Sequence, residues 1–396
     1  MTGRRGAARR LGGLALAAGA AIYAALALAS GLDRMSLERP DLAPLVPRAF
    51  AARALLAQGR TAILGGDRRA ALGFASDLVA RDPYERSALA LLGAARQANG
   101  DRAGADAAYR VSAELGWRDA PTQLYWLRRS AELGAWDLAA LRLDALARQD
   151  ASWTSARMAI EPFEATPDGR KALADLVAAR PAWLDTYMTT SATLTAAQLA
   201  RRADVIALAT RRAGPLGCTA IAPLADRFAA HGLAAAGEAM WRANCPNAGT
   251  GLVRDGGLMA LAGDPSPAAF DWHASETGDL RLSPTPAAGG TALGLELTGA
   301  LPLLAFEQIV TWSPGRYRLR WRAEGDGAGS AARLVPTLSC QANQPDYAPV
   351  APIVANGAER SAELTLEGAC ATHWLGFVIR PGGGPVTVSR ISAERL

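Results

Sequence analysis

A 34-residue spacing in the first half of the chain constrains the fold more than any other sequence feature. Glycine recurs at this spacing, at Gly66, Gly100 and Gly134. An alanine follows each glycine five positions later, at Ala71, Ala105 and Ala139. A period of this length indicates stacked supersecondary units, because one small unit cannot bury its apolar face alone.

Each unit is predicted to be a pair of antiparallel helices. Apolar residues recur at helical spacing before the joint, for example Leu55, Leu56 and Ile63. Glycine at the joint permits the left-handed backbone that ends a helix. Asp67 and Asp101, next to the first two glycines, can cap the helices that follow. The small alanine lets the paired helices approach each other closely.

The period and these residue types resemble the tetratricopeptide repeat. The resemblance covers about residues 52–153. The third copy departs from it, because Ala135 replaces the aspartate and no proline ends that copy as Pro83 ends the first. The resemblance implies a helical solenoid over residues 49–248, in which the first helix of each pair lines a concave surface. The candidate partner-binding residues on that surface are Arg53, Arg60, Arg96, Tyr125 and Arg129.

The N-terminal segment has the charge pattern of an exported protein. Residues 1–10 carry four arginines and no acidic residue, and residues 11–32 are uncharged. About 20 apolar residues cross a bilayer as a helix, and the positive-inside rule keeps the arginines in the cytoplasm. We therefore predict a basic cytoplasmic tail, a single-pass signal anchor in the inner membrane, a linker over residues 33–48 and a periplasmic body. The alternative is a cleaved signal peptide and a soluble periplasmic protein, since residues 27–29 form an A-x-A site.

The four cysteines fit an oxidising compartment. Cys218 begins and Cys245 ends a degenerate helical hairpin with Gly232 at its joint, so antiparallel helices bring the two cysteines together. Cys340 and Cys370 each end a predicted strand. We expect the disulfides to be Cys218–Cys245 and Cys340–Cys370, and the alternative is four buried free thiols.

Beyond a glycine- and proline-rich linker at residues 249–268, the chain has the pattern of short strands. In the segment RYRLRWRA, Tyr317, Leu319 and Trp321 alternate with arginines, so the two sets lie on opposite faces of a strand. Similar segments separated by glycine- and proline-rich turns predict an antiparallel β-sandwich of the jelly-roll type over residues 269–396. The predicted fold class is therefore a multidomain α plus β protein.

The second half resembles, in its strand pattern, the jelly-roll modules that bind carbohydrate at cell surfaces. The layout of anchor, helical repeats and sandwich is similar to that of accessory proteins of bacterial exopolysaccharide assembly and export. This resemblance implies that the sandwich contacts polysaccharide and that the helical repeats hold a protein partner.

Two features of the sandwich are candidates for a glycan-binding face. Trp272, His273, His373 and Trp374 lie near strand ends, where an exposed aromatic ring can stack on a sugar ring. An arginine stripe can pair bidentately with acidic sugars. The four residues of the arginine stripe are Arg316, Arg318, Arg320 and Arg322. The alternatives are tryptophans that fill the core, where Trp321 is expected, and arginines that pair with neighbouring acidic residues.

The sequence has no recognisable motif for catalysis, metal binding or a cofactor. The three histidines lack a ligand-spaced cluster, and nucleophile-elbow, zinc-protease, P-loop and dinucleotide patterns are missing. Glu296, Glu307 and Asp346 are available carboxylates, each expected at the surface. A net charge of +5, with no dense basic block beyond the N-terminus, argues against a nucleic-acid partner.

These observations predict a non-enzymatic, inner-membrane-anchored periplasmic binding protein of exopolysaccharide assembly or export. An envelope protein would bind to the helical repeats, and polysaccharide would bind to the sandwich. One alternative is a purely protein-binding scaffold of an envelope secretion complex. A second alternative is a carbohydrate-active enzyme.

Overall fold

A computed structural model of the chain describes residues 3–245, 251–263, 270–275, 277–326, 329–345, 352–368, 370 and 372–396, with the backbone alone for residues 3–15 and 191–192. The predicted linker at residues 249–268 therefore lies partly outside the described residues, and Asp346 lies wholly outside them. The chain divides into two compact units, Met1–Asp150 and Ala151–Leu396.

The first unit consists of a long helix followed by three helical hairpins. Helix α1 spans Gly3–Met35, and 3-10 turns at Pro40–Leu45 and Arg48–Phe50 lead to the hairpins. The α1 segment Leu16–Met35 has a mean hydropathy of 1.5 and is long enough to span a membrane, as a signal anchor or a signal sequence. The hairpin helices are α2 (Ala52–Leu64), α3 (Arg68–Arg81), α4 (Arg86–Ala98), α5 (Arg102–Glu114), α6 (Ala120–Glu132) and α7 (Trp136–Gln149).

The close approach of neighbouring helices depends on small residues at the repeated positions. The three glycines of the joints have left-handed backbones, with φ angles of 76°, 82° and 71°, and the three repeated alanines are fully buried. A Cβ atom on Gly59 would lie 2.6 Å from a methyl carbon of Leu91, and one on Gly93 would lie 2.7 Å from the ring of Tyr109. Larger residues at these positions would force the helices apart. The six helices and their left-handed glycine joints confirm the prediction of helical hairpins.

Two of the three hairpins have the predicted aspartate cap. The Asp67 carboxylate accepts a hydrogen bond from the Ala70 N–H at 3.0 Å, and the Asp101 carboxylate accepts one from the Gly104 N–H at 2.8 Å. Ala135 provides no side-chain cap for α7, as expected from the divergent third copy. The first turns of α3 and α5 are therefore the better-satisfied helix starts.

The segment predicted as a linker over residues 33–48 is folded against α2. The buried carboxylate of Asp33 accepts a hydrogen bond from the Ala54 N–H at 2.8 Å. This contact satisfies a donor in the first turn of α2, whose own N-cap, Ala51, has no side-chain acceptor. The end of the apolar helix is thus part of the hairpin core.

The second unit begins with six helices and ends with the β-sandwich. The helices are α8 (Arg157–Ala165), α9 (Pro167–Ala178), α10 (Leu184–Thr189), α11 (Ala196–Ala213), α12 (Cys218–Ala230) and α13 (Ala234–Asn244). A disulfide joins the start of α12 to Cys245, with 4.6 Å between the Cα atoms, as predicted. A Cβ atom on Gly237 would lie 2.7 Å from Phe228, so glycine replaces alanine at the helix crossing.

A buried ion pair stabilises the packing of α8, α10 and α11. The Arg202 guanidinium lies 2.9 Å from the Glu164 carboxylate and donates to the Tyr187 carbonyl at 2.7 Å. The Tyr187 hydroxyl donates to the same carboxylate at 2.8 Å. Burial, followed by the charge of Glu164, raises the pKa of Tyr187 well above its ordinary value. Each charged group of this network is compensated, as buried charges require.

The sandwich consists of two antiparallel sheets, as predicted. Its strands are β1 (His273–Ala274), β2 (Leu280–Ala287), β3 (Gly290–Leu297), β4 (Leu303–Val310), β5 (Gly315–Gly325), β6 (Leu334–Ser339), β7 (Val354–Asn356), β8 (Glu359–Leu366), β9 (His373–Ile379) and β10 (Val386–Arg395). The four-stranded sheet has the order β1-β4-β9-β6 and the six-stranded sheet the order β2-β3-β10-β5-β8-β7. From β3 to β6, and again from β8 to β10, successive strands alternate between the sheets, as in a jelly roll.

Aromatic side chains fill the space between the sheets. Tyr317, Leu319 and Trp321 all face the core, as the alternation along β5 predicts. The Trp272 ring lies edge-on to Phe306, with ring centroids 5.1 Å apart. The second predicted disulfide, Cys340–Cys370, is also present, with 5.3 Å between its Cα atoms.

A buried arginine joins the helical hairpin α12–α13 to the sandwich. Arg254 donates from Nε to the Glu238 carboxylate on α13 at 2.9 Å and from Nη1 to the Ile309 carbonyl on β4 at 2.5 Å. Its backbone N–H and carbonyl both bond the Gln308 side-chain amide, at 3.0 and 2.8 Å. The predicted linker region around Arg254 is therefore a packed part of the second unit, with Leu258 in the sandwich core.

Candidate ligand-binding cleft

A cleft of about 470 Å³ lies between α12 and the outer face of the four-stranded sheet. His273 on β1 and Trp374 on β9 line its sheet side, with ring centroids 6.2 Å apart in an edge-on arrangement. Asp226 on α12 lines its helix side and is exposed. We call this feature the sandwich cleft. Its other lining residues are Ala229, Ala230, Gly232, Ile309, Cys340 and Thr372.

The strand period explains why only half of the predicted aromatic face reaches the cleft. Neighbouring residues of a strand face opposite sides of the sheet, so each Trp–His pair can contribute one ring to a given face. Trp272 is fully buried in the core and donates from Nε1 to the Asp255 carbonyl at 3.0 Å. The ring of His373 lies 3.2 Å from the Glu367 carbonyl. The structure therefore corrects the prediction: His273 and Trp374 line the cleft, whereas Trp272 is a core residue and His373 is not among the lining residues.

The arginine stripe lies on the opposite side of the sandwich, on the outer face of the six-stranded sheet. Two glutamates from neighbouring strands interleave with it. Arg316 and Arg318 pair with Glu363 at 2.6 and 3.0 Å. Arg318 and Arg320 pair with Glu394 at 3.4 and 2.7 Å.

The fourth arginine of the stripe is paired as well. Arg322 contacts Glu324 and lies 3.8 Å from Glu359. Four glutamates thus face four arginines, so this surface is a neutral cross-strand ladder of the kind that supports a sheet. The arginine stripe and the sandwich cleft lie on opposite faces of the sandwich, so the two candidate features belong to different surfaces.

A buried carboxylate lies close to the cleft. Glu307 on β4 is opposite His273 in the strand register and is 3% exposed, so the expectation that it lies at the surface is wrong. Its carboxylate accepts a hydrogen bond from the Asn343 N–H at 2.9 Å. Burial raises the pKa of Glu307, and the bond from Asn343 opposes that change only in part. Glu296, in contrast, is exposed as expected.

A second pocket, of about 480 Å³, lies in the first unit among the second and third hairpins. The rings of Tyr109 and Tyr125 stack in it, 4.0 Å apart, and the Tyr125 hydroxyl donates to Asp106. Burial and this hydrogen bond raise the pKa of Tyr125 to about 12. Arg102 and Arg129 both approach the Glu132 carboxylate at its rim, at 2.6 and 3.4 Å. We call this feature the hairpin pocket.

The structure brings together two of the five residues predicted to contact a partner. Tyr125 and Arg129 both line the hairpin pocket. Arg96 instead donates to the Gly104 carbonyl at 3.1 Å. Arg53 and Arg60 are exposed on α2, away from the pocket residues in the chain.

Sequence reasoning missed Asp226 as a cleft residue. It lies in the middle of α12, in a stretch with no local motif, and reaches the cleft only because the hairpin packs against the sheet. Cys340 could have been predicted as a cleft residue. Its predicted disulfide partner, Cys370, lies four positions before Trp374, so the disulfide places Cys340 close to Trp374. Among the described residues, no group of three or more His, Cys, Asp or Glu residues is arranged to hold a metal ion.

No protein-family model matches the chain, and no curated protein matches it significantly. The geometry of the sandwich cleft and the hairpin pocket therefore carries the functional argument.

Proposed function

We propose that this protein is a non-enzymatic, membrane-anchored periplasmic protein whose sandwich cleft binds polysaccharide during exopolysaccharide assembly or export. The observation that carries the proposal is the half-buried ring of Trp374, which lines an open cleft beside His273 and Asp226. Sugar-binding sites combine an aromatic surface, on which the apolar face of a pyranose packs, with a few polar groups that bond its hydroxyls.

The location outside the cytoplasm is supported by two independent features. The described cysteines form two disulfides, which persist in oxidising compartments. The apolar helix that ends at Met35 provides the means of export. Whether this helix is retained as an anchor or removed as a signal sequence, the hairpins and the second unit reach the same compartment.

The helical hairpins are proposed to bind a protein partner in the manner of tetratricopeptide repeats. The hairpin pocket supports this assignment, because stacked tyrosines and a rim of arginines offer both apolar and hydrogen-bonding contacts. The same pocket favours the alternative, a scaffold that binds only proteins, if the sandwich cleft has no glycan ligand.

The proposal is tested by measuring the binding of neutral and acidic polysaccharides to the full chain in a detergent without sugar groups. We expect saturable binding by at least one glycan, and the Trp374→Ala variant should bind it about tenfold more weakly, because loss of stacking removes roughly 1.4 kcal/mol. The matched control is Trp117→Ala, which removes an exposed tryptophan of the first unit.

Two results would contradict the proposal. One is the lack of binding across dextran, β-1,4-glucan and mannan oligosaccharides, alginate and hyaluronate. The other is binding that survives both Trp374→Ala and His273→Ala without loss. The release of new reducing ends during incubation would instead indicate the carbohydrate-active enzyme.

A further inference from the structure

We infer that α1 is retained as an anchor and that the first unit lies directly on the bilayer, with Met35, Leu37 and Leu45 in contact with lipid. We call these three residues the membrane-contact surface. The inference rests on the membrane location in the proposed function and identifies the part of the protein that meets the lipid. It is independent of any glycan bound in the sandwich cleft.

The charged residues of α1 determine its depth in the membrane. The helix is uncharged over residues 11–32, between Arg10 and Asp33. At about 1.5 Å per residue this stretch is about 33 Å long, and the hydrocarbon core of a bilayer is about 30 Å thick. A charged side chain inside the hydrocarbon is unfavourable. Arg10 and Asp33 therefore lie close to the two boundaries of the core, and Asp33 lies at the outer one.

The folded part of the first unit begins to contact α1 at this same depth. Residues 16–28 of the helix are exposed. From Ala29 onward one side of the helix is buried, through Ala29, Asp33 and Ser36. Positions spaced by three and four residues lie on one face of a helix. The hairpins therefore pack on α1 where the hydrocarbon gives way to the lipid headgroups.

Buried contacts hold this end of α1 in the hairpin core. The Asp33 carboxylate accepts the hydrogen bond from the Ala54 N–H, in the first turn of α2. One residue earlier, Leu32 packs against the apolar cluster that contains Ala43 and Val46. These contacts fix the orientation of the first hairpin relative to α1, and hence relative to the membrane.

Three exposed apolar side chains lie close to this end of α1. Met35, in its last turn, is 49% exposed, and Leu37 is 40% exposed. Leu45 is 66% exposed and ends the 3-10 turn Pro40–Leu45, which lies against α1. Apolar side chains that are exposed beside a membrane-spanning helix are well placed to insert among the lipids.

The charges of this segment do not explain an attraction to lipid. Residues 34–41 carry two arginines and two acidic residues, and Arg39 pairs with Asp41 at 3.0 Å. Because these charges balance, the apolar side chains supply the attraction. Contact with the bilayer should therefore be the same in zwitterionic and anionic lipids and should not weaken in salt.

The test places a spin label at position 45 of the full chain, reconstituted in phosphatidylcholine vesicles. The native cysteines are paired in two disulfides, so a nitroxide reagent reacts with the single thiol of Leu45→Cys. Leu133→Cys is the matched control. Leu133 lies at the end of α6 in the third hairpin and is 67% exposed, nearly the same fraction as Leu45.

We expect the label at position 45 to be relaxed by oxygen, which concentrates in lipid, and to be protected from a water-soluble nickel complex. The label at position 133 should show the reverse. Mass spectrometry of the purified chain should find the residues before Ser30 still attached.

Two substitutions at Asp33 test whether the buried contact holds the surface on the lipid. Asp33→Ala removes the acceptor for the Ala54 N–H, so the label at position 45 should lose lipid contact and become more mobile. Asp33→Asn keeps a side-chain acceptor and should preserve both properties. Equal lipid contact in the two variants would show that this hydrogen bond does not position the surface.

The outcomes separate this inference from the proposed function. Equal accessibility of the two labels, or a mature chain that begins at Ser30, overturns the inference and leaves glycan binding intact if it still depends on Trp374. Contact that requires added phosphatidylglycerol overturns its apolar basis. Lipid contact at position 45 without binding of any glycan in the panel supports the inference and overturns the proposed function.

Discussion

The two outer faces of the sandwich differ in shape and in what borders them. On the six-stranded sheet, four arginines meet glutamates from the neighbouring strands, and the surface is neutral without a ligand. On the four-stranded sheet, Trp374 and His273 border an open cleft with Asp226 across from them. The face with more charge is a surface of cross-strand ion pairs, and the less conspicuous face is the one that borders a concave site.

The difference arises from what packs on each face. The six-stranded face presents adjacent strands in register, so that each arginine has an acidic neighbour within reach. The four-stranded face is bordered by a helical hairpin that Arg254 holds in place, and that arrangement creates a concave site. Substitutions in the hairpin, near the cleft or in the arginine stripe should therefore remove this difference or measure it.

The largest effect is expected from Arg254→Ala. The substitution leaves Glu238 without its buried partner and removes the bond to the Ile309 carbonyl, so the second unit should lose about 3–5 kcal/mol of stability. Urea unfolding followed by tryptophan fluorescence measures this loss. The exposed Arg320→Ala is the matched control and should unfold close to the wild type. Similar unfolding of both variants would show that Arg254 does not hold the hairpin to the sheet.

The Cys218→Ser, Cys245→Ser double variant should have the next largest effect. The disulfide joins residues 27 apart, and its loss frees the unfolded chain, which costs about 3 kcal/mol. Because the same hairpin carries Asp226, glycan affinity should also fall. A loss of stability without a loss of glycan affinity, measured on the same samples, would show that the disulfide does not help to position the cleft.

A smaller effect is expected from Glu307→Gln, and it should depend on pH. The folded pKa of Glu307 is raised by burial, so its ionisation opposes folding as the pH rises through that value. The glutamine variant keeps an acceptor for the Asn343 N–H and cannot ionise. It should therefore be more stable than the wild type at neutral pH. The difference should disappear as the pH falls below about 4, the ordinary glutamate pKa, because Glu307 is then protonated in both the folded and the unfolded wild type.

Measurement of the unfolding midpoint at several pH values checks this prediction. The control is Glu296→Gln, at an exposed position of β3, which should follow the wild type throughout. An advantage of Glu307→Gln that grows at acidic pH would mean that the folded protein stabilises the charged carboxylate, and the raised pKa of Glu307 would then be wrong.

The sequence predicted those features that depend on local pattern. The hairpin joints at Gly66 and Gly100, the caps Asp67 and Asp101 and the inward side of β5 all follow from spacing over a few residues. Both disulfides could also be predicted, because cysteines marked the ends of recognisable elements.

The cleft could be predicted only in part. Trp272 and Trp374 were candidates because each flanks a histidine near a strand end. The pairing of β1 with β4, which the sequence does not specify, sets the strand phase that excludes Trp272 from the cleft. Asp226 and Glu307 lie 81 positions apart in the sequence (307 − 226) and meet the same region only after the hairpin packs on the sheet. The pairing of the arginine stripe likewise depends on strand neighbours, which composition does not specify.

The smallest effect is expected from Arg318→Ala on the six-stranded face. Arg318 is exposed and shares Glu363 and Glu394 with other arginines, so the unfolding midpoint and glycan affinity should not change measurably. The substitution should still raise the pKa of Glu363, which Arg318 and then Arg316 hold below its ordinary value. Side-chain NMR titration of Glu363 measures this shift, with Arg360→Ala as the control on the neighbouring strand. A loss of affinity in Arg318→Ala comparable to that of Trp374→Ala would place a ligand on the arginine stripe and reverse the assignment of the two faces.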